Sequence, residues 1–146
     1  MPIYDHLAAA DDTAAAALLE ADLAEAGVPL PSVKGVDPAV GPGGLEAALT
    51  GLSADEVGRD PRAAALLTDP AHGAVWMMAL TDRLRDALAA AAPPERERAA
   101  AAWAVAQGLS PDRAGAWDPA DFTERLADLA RAAAARGHRL YCRAVL

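Results

Sequence analysis

Alanine occupies 41 of the 146 positions, and this feature limits the fold more than any other. Alanine has the highest helix propensity, but its single methyl group buries little apolar area. Hydrophobic residues make up 53% of the chain, yet only 37 of them are larger than alanine. The sequence therefore predicts a protein rich in helix, with a core built from few large side chains.

Charge and cysteine content exclude several classes of protein. The chain has 21 acidic residues against 13 Lys and Arg, a net charge of −8, which argues against nucleic acid as a partner. One cysteine, Cys142, cannot form an internal disulfide and indicates a reducing compartment. The N-terminus lacks a signal-peptide pattern, and the most apolar run, Ala74 to Leu80, is too short to cross a bilayer. We expect a cytoplasmic protein of one domain, residues 1–146, without a membrane partner.

Helix boundaries are well marked by capping residues. Asp-Pro is a typical helix start, because the Asp side chain can accept first-turn N–H groups and proline loses no hydrogen bond there. It occurs at Asp37, Asp60, Asp69 and Asp118. Ser53 followed by Glu56 fits a capping box.

These signals and the apolar periodicity predict the following order of elements. After an opening strand at Ile3 to Leu7, helices are expected from Asp11 or Asp12 to Glu25, from Gly43 to Leu49, from Asp60 to near Leu67, from Thr81 to Ala92, from Glu95 to Gln107 and from Asp118 to Gly137. Residues 28–42 are expected to form a loop with one short strand. Residues 74–80 and 139–146 are expected to be strands. The predicted fold class is α+β: a helix-dominated domain with a small sheet that includes the N- and C-terminal strands.

The large side chains of these elements give the expected core. It consists of Leu19, Leu23, Leu49, Leu67, Trp76, Leu84, Leu88, Trp103, Phe122, Leu126, Leu129 and Leu140. Trp117, beside a helix start, is expected to be partly exposed. The run from Glu95 to Arg98 alternates in charge and is interpreted as a solvated helix face.

The order of these segments resembles the YfbM-like family of small uncharacterised bacterial proteins. The resemblance lies in Ile3 to Leu7 followed by Ala15 to Glu20, in Lys34 followed by Leu45 to Gly51, and in Leu126 to Leu146. Together these cover about half of the chain. Val36 stands where the family tends to have Trp, and Glu46 stands near a position often held by His. The resemblance implies a YfbM-like α+β domain over residues 1–146 and no established activity.

Lys34, Asp37 and Glu46 are the candidate binding residues. Lys34 is the sole lysine and lies in a Gly/Pro-rich segment close to Asp37, with Glu46 ahead of it. An ammonium group paired with carboxylates could line a pocket. General experience with surface charges favours the other interpretation of Lys34, a surface lysine or a structural ion pair.

Other chemical motifs are weak. His6, His72 and His138 are isolated, so neither a metal site nor a cofactor is predicted. Gly41 to Gly44 lacks the Gly-Lys-Ser/Thr of a phosphate loop and is interpreted as the lead into a helix. Cys142 is expected to be a buried thiol rather than a nucleophile paired with His138, and no catalytic residue is predicted.

The sequence favours the first of three functions and leaves the other two as alternatives. The first is a small acidic binding protein without catalytic activity, of immunity or antitoxin type, that covers a basic protein partner. The second is a small-molecule-binding protein or enzyme with a pocket near Lys34, Asp37 and Glu46. The third is a self-associating domain, since a homodimer would bury more surface around a thin core.

Overall fold

The computed structural model describes residues 3–22, 32–34, 41–69, 71, 73–108 and 118–146, with the backbone alone for 32–34. These residues form four strands, β1 (Ile3–Ala9), β2 (Ser32–Lys34), β3 (Val75–Ala79) and β4 (Arg139–Val145). They also form six helices, α1 (Asp12–Ala17), α2 (Gly41–Thr50), α3 (Ala54–Gly58), α4 (Asp82–Ala90), α5 (Pro93–Ala106) and α6 (Pro119–Arg136).

The strands of the described residues form one antiparallel sheet in the order β2-β1-β4-β3. The first and last strands are therefore neighbours at its centre, with His6 opposite Cys142. On the other side of β4, Met78 is also opposite Cys142. This arrangement confirms the predicted α+β class and the inclusion of both terminal strands in the sheet.

The sheet packs on both faces, because alternate residues of a strand point to opposite sides. Leu140 and Cys142 of β4 belong to the larger core, which Trp103, Phe122 and Leu126 fill from the helices. The opposite face carries a smaller cluster under α1, with these members: Leu7, Ala9, Ala15, Met77, Ala79 and Tyr141.

Most of the predicted core residues lie in these two clusters. Seven are buried: Leu84, Leu88, Trp103, Phe122, Leu126, Leu129 and Leu140. Four are partly buried and pack against the clusters: Leu19, Leu49, Leu67 and Trp76. Leu23 and Trp117 lie outside the described residues. Alanines also contribute to the larger core, where Ala99, Ala127, Ala130 and Ala133 are buried.

The caps form largely as the sequence predicts. Asp11 accepts a hydrogen bond from the Ala14 N–H at 2.8 Å, and Ser53 forms the full capping box with Glu56. Gly137 ends α6 in the left-handed conformation, at φ 67°, which glycine adopts without steric cost.

Helix α1 is shorter than predicted. It ends at Ala17 rather than Glu25, and Leu18 is its C-cap. The chain then turns, and Arg143 of β4 donates to the Ala21 carbonyl at 2.8 Å. The helical pattern beyond Ala17 is overridden by these tertiary contacts, which no local signal encodes.

The predicted helix from Asp60 to Leu67 is wrong. Asp60 accepts a hydrogen bond from the Arg62 N–H, but the result is a turn rather than a helix. The chain then pairs with the outer edge of β3, where Leu67 N–H donates to Met77 O at 2.9 Å and Ala79 N–H donates to Ala65 O at 2.8 Å. Covering an exposed strand edge satisfies backbone groups that a helix here would leave open to solvent.

The other two Asp-Pro signals are less informative. Asp69 accepts a hydrogen bond from the Ala71 N–H at 2.9 Å, across two residues, as in a turn. Asp37 lies outside the described residues.

The segment from Pro93 to Arg98 corrects two expectations. The prolines begin α5 instead of preceding it, which fits their tolerance in a first helical turn. Arg96 is only 7% exposed, so the interpretation of a wholly solvated face is wrong. Its guanidinium binds Glu124 of α6 through two nitrogens, at 2.8 and 3.1 Å, and also donates to the Ala91 carbonyl. It therefore links α5 to α6.

A polar cluster anchors α1 to the sheet. The buried Tyr141 donates its hydroxyl to Asp12 at 2.7 Å, and Arg62 binds the same carboxylate through both terminal nitrogens. The pKa of Asp12 is lowered, chiefly by the hydrogen bond from Arg62 and then by that from Tyr141. Burial, with a smaller effect of the hydrogen bond to Asp12, raises the pKa of Tyr141 to about 12.

Candidate functional site

A cleft of about 580 Å³ lies between α2, α3, the start of α4 and the end of α5. Its wall is largely apolar, with Ala47, Val57, Leu80 and Leu84 among the lining residues. Small-molecule sites in proteins are typically concave, mostly apolar and between about 300 and 1,000 Å³. The cleft has the size and character of such a site.

Helix α2 supplies one wall of the cleft. Its first turn contains three glycines and Pro42, and it ends at Thr50, directly before Gly51, where φ is 75°. Gly44 lies directly against Trp103 of α5, because a Cβ placed there would be 3.0 Å from the Trp103 Cδ1 atom. The absence of a side chain at residue 44 therefore sets how closely α2 and α5 approach.

Glu46 of α2 is the buried acid in this wall. It is 1% exposed although it is charged in its ordinary state. The Thr81 hydroxyl donates to its Oε1 atom and in turn accepts a hydrogen bond from the Leu84 N–H at 3.1 Å. The hydroxyl proton is thus directed to Glu46, and the carboxylate is held against the first turn of α4.

The second oxygen of Glu46 is poorly satisfied. Its Oε2 atom is buried, and no hydrogen-bond donor reaches it among the described residues. The Arg83 Nη1 atom is 3.9 Å away, beyond hydrogen-bond distance, and Arg83 is also 3.8 Å from Asp60. A buried polar group without a hydrogen bond costs about 1–3 kcal/mol, and more when the group is charged.

The pKa of Glu46 reflects this environment. Burial raises it above the ordinary value, while the Thr81 hydrogen bond and the charge of Arg83 oppose the rise in part. Asp60 adds a smaller effect in the upward direction. Ionisation of Glu46 is therefore penalised in the folded chain, which is typical of groups at functional sites.

Only one of the three predicted binding residues is seen in the cleft. Glu46 lines it. The backbone of Lys34 is in edge strand β2, paired with Ile3, and Asp37 lies outside the described residues. The proposed convergence of Lys34 and Asp37 on Glu46 therefore stays a prediction.

The sequence analysis missed the partners of Glu46. Thr81 is predicted as a helix cap, and the structure confirms that role. Its contact with Glu46 joins residues 35 positions apart, and Arg83 stands two residues further on. Nothing in the local sequence of either segment pairs them.

The other motifs take structural places. Gly41 to Gly44 form the first turn of α2. Cys142 is a fully buried thiol in the core, and the His138 N–H caps α6 by donating to the Ala133 carbonyl at 2.8 Å. Within the described ranges, no three His, Cys, Asp or Glu side chains are grouped so as to hold a metal ion. None of the helices in those ranges is long and apolar enough to cross a membrane.

Comparison of the chain with protein-family models, with curated proteins and with solved structures gave no match. The resemblance to the YfbM-like family therefore stays a prediction.

Proposed function

We propose that this chain binds a small organic molecule in the cleft between α2, α3, α4 and α5. One observation carries the proposal: a largely apolar cleft of about 580 Å³ contains a buried carboxylate with one oxygen that no hydrogen-bond donor of the described residues reaches. Apolar walls supply affinity, and a few fixed polar groups supply orientation and specificity.

Neighbouring alanines of α2 provide a direct test. Ala47 lines the cleft, whereas Ala48 is exposed on the same helix and is not among the lining residues. In Ala47→Phe the ring would occupy cleft volume, and in Ala48→Phe it would extend into solvent. A fragment library containing amines, acids and neutral compounds would be screened against both variants and the original chain by ligand-observed NMR.

Compounds that occupy the cleft should bind the original chain and Ala48→Phe but lose binding to Ala47→Phe. Circular dichroism and thermal melting would first establish that both variants are folded. The proposal is rejected if no compound binds, or if every compound that binds does so equally well to both variants.

The acidic protein-binding function expected from a net charge of −8 stays a prediction. It differs from the cleft proposal in its salt dependence, because association driven by charge weakens as ionic strength rises. Recovery of a stoichiometric basic partner from native lysate at low salt, lost at high salt and unaffected by Ala47→Phe, would favour it over the cleft.

A further inference from the structure

We infer that the ligand of the cleft carries a protonated amine on an apolar body, and that the ammonium group binds Glu46. This inference rests on the proposed function and adds the chemical class of the ligand. It starts from the two oxygens of Glu46, which have different surroundings.

The two oxygens differ in their hydrogen bonding, and both belong to a side chain that is 1% exposed. Oε1 accepts from the Thr81 hydroxyl, whose own oxygen is held by the Leu84 N–H. Oε2 has no hydrogen-bond donor among the described residues. A carboxylate that is fixed through one oxygen presents the other in a defined direction, which is what recognition of a ligand donor requires.

Arg83 does not donate a hydrogen bond to Oε2. Its guanidinium is 3.9 Å from Oε2 and 3.8 Å from the Asp60 carboxylate, and its side chain is 40% exposed. It lies between two acids and makes no hydrogen bond to Glu46 at this distance. A ligand nitrogen with a positive charge would supply the short, charge-assisted hydrogen bond that Arg83 does not make.

The alternatives fit the site less well. An anionic ligand group would meet the negative charge of Glu46, and Asp60, 3.8 Å from Arg83, is a second acid nearby. A divalent cation needs several oxygen ligands, and the described residues offer no such group. The remaining wall is largely apolar, with Val57, Leu80 and Leu84 beside the polar Thr81 and Gln107, and suits an alkyl or aryl body.

Three probes share a phenyl ring and differ in the charge of the polar group: benzylamine, benzyl alcohol and benzoate. Comparing them separates the effect of ligand charge on affinity from the effect of ligand size. Their affinities would be measured by NMR titration for the original chain, Glu46→Gln and Ala47→Phe. Glu56→Gln is the matched control, because Glu56 is an exposed acid of neighbouring α3 that does not line the cleft, and Gln can keep its capping bond.

We expect benzylamine to bind the original chain about ten-fold or more tightly than benzyl alcohol, as a charged hydrogen bond in a buried site should provide. Glu46→Gln should remove this preference and leave benzyl alcohol unchanged. Glu56→Gln should alter the affinity for benzylamine by less than about two-fold, because an exposed charge is screened.

Equal binding of benzylamine and benzyl alcohol, or tighter binding of benzoate, would overturn the ammonium inference while leaving the cleft as a binding site. An amine preference that persists in Glu46→Gln would also overturn it. Failure of the proposed function would give a different result. Either none of the probes binds, or those that bind have the same affinity for Ala47→Phe as for the original chain.

Discussion

Gly43 and Gly44 are neighbours in α2, and alanine should have opposite effects on stability at the two positions. A Cβ at residue 43 would be 3.8 Å from Val57 Cγ1, an ordinary van der Waals distance. A Cβ at residue 44 would be 3.0 Å from Trp103 Cδ1 and 3.4 Å from its Nε1 atom. Trp103 is 1% exposed, so its ring cannot move aside into solvent.

The expected magnitudes follow from two effects. Replacing a helical glycine by alanine stabilises a helix by about 0.5–1 kcal/mol, and this applies at both positions. Overpacking a filled core costs about 1–3 kcal/mol, and this applies only at residue 44. Gly43→Ala should therefore raise the free energy of unfolding by about 0.5–1 kcal/mol, while Gly44→Ala should fall about 1–3 kcal/mol below it.

Urea unfolding followed by circular dichroism measures this difference directly, because the backbone effect cancels between the two variants. The slope of the free energy with urea should be the same for both, so the difference appears in the midpoint. If Gly44→Ala proves as stable as Gly43→Ala, then α2 does not pack against Trp103 as described. The placement of α2 as a wall of the cleft would then be wrong.

Three further predictions concern the core, the acid in the cleft and the α1 anchor. Leu126→Ala should lower the free energy of unfolding by about 2–5 kcal/mol, because Leu126 is fully buried. Ala102→Glu, on an exposed helix face, should change it by less than about 0.5 kcal/mol. Equal effects of the two substitutions in urea unfolding would contradict the assigned core. The raised pKa of Glu46 means that folding favours its protonated form. The original chain should therefore lose stability as pH rises from the ordinary pKa of 4.5 through the pKa of the folded chain, and Glu46→Gln should not lose this contribution. A stability difference between the original chain and Glu46→Gln that stays constant with pH would refute the penalty on ionising Glu46. The pKa of Tyr141 is raised to about 12, so the stabilising effect of its hydrogen bond should be lost only as pH rises from 10.0 through that value. Asp12→Asn should lower the midpoint of the Tyr141 titration, measured by phenolate absorbance. A tyrosine titration that is the same in Asp12→Asn would contradict the contact between Asp12 and Tyr141.

Local chemistry determined most of the helix boundaries. Asp11, Ser53, Thr81 and Asp118 each cap the helix that the sequence predicts for them, because a cap involves only groups within three residues of one another. The same reasoning failed at Asp60. The local capping signal is present there, but the segment that follows it, through Leu67, pairs with the edge of β3 instead of forming a helix. A cap signal shows where a helix can begin, and tertiary contacts decide whether it does.

Arg96 shows a similar limit for charged residues. Its neighbours Glu95, Glu97 and Arg98 are exposed, as the mixed-charge pattern predicts, and Arg96 has the same local sequence context. It is buried because α6 brings Glu124 against it. Burial of one charge in a run depends on the helix packed beside it, which the pattern does not specify.

The sequence by itself determined that this protein is an α+β chain with capped alanine-rich helices, terminal strands in one sheet and a short list of large core side chains. It also selected Glu46, although for a pocket with Lys34 and Asp37 that stays untested. Only the tertiary structure decided that Glu46 is buried in the wall of a cleft, that Thr81 donates to one of its oxygens, and that no donor of the described residues reaches the other. The reason is physical: caps and periodicity act within one or two helical turns, whereas burial and the pairing of a carboxylate depend on which distant segments pack around it.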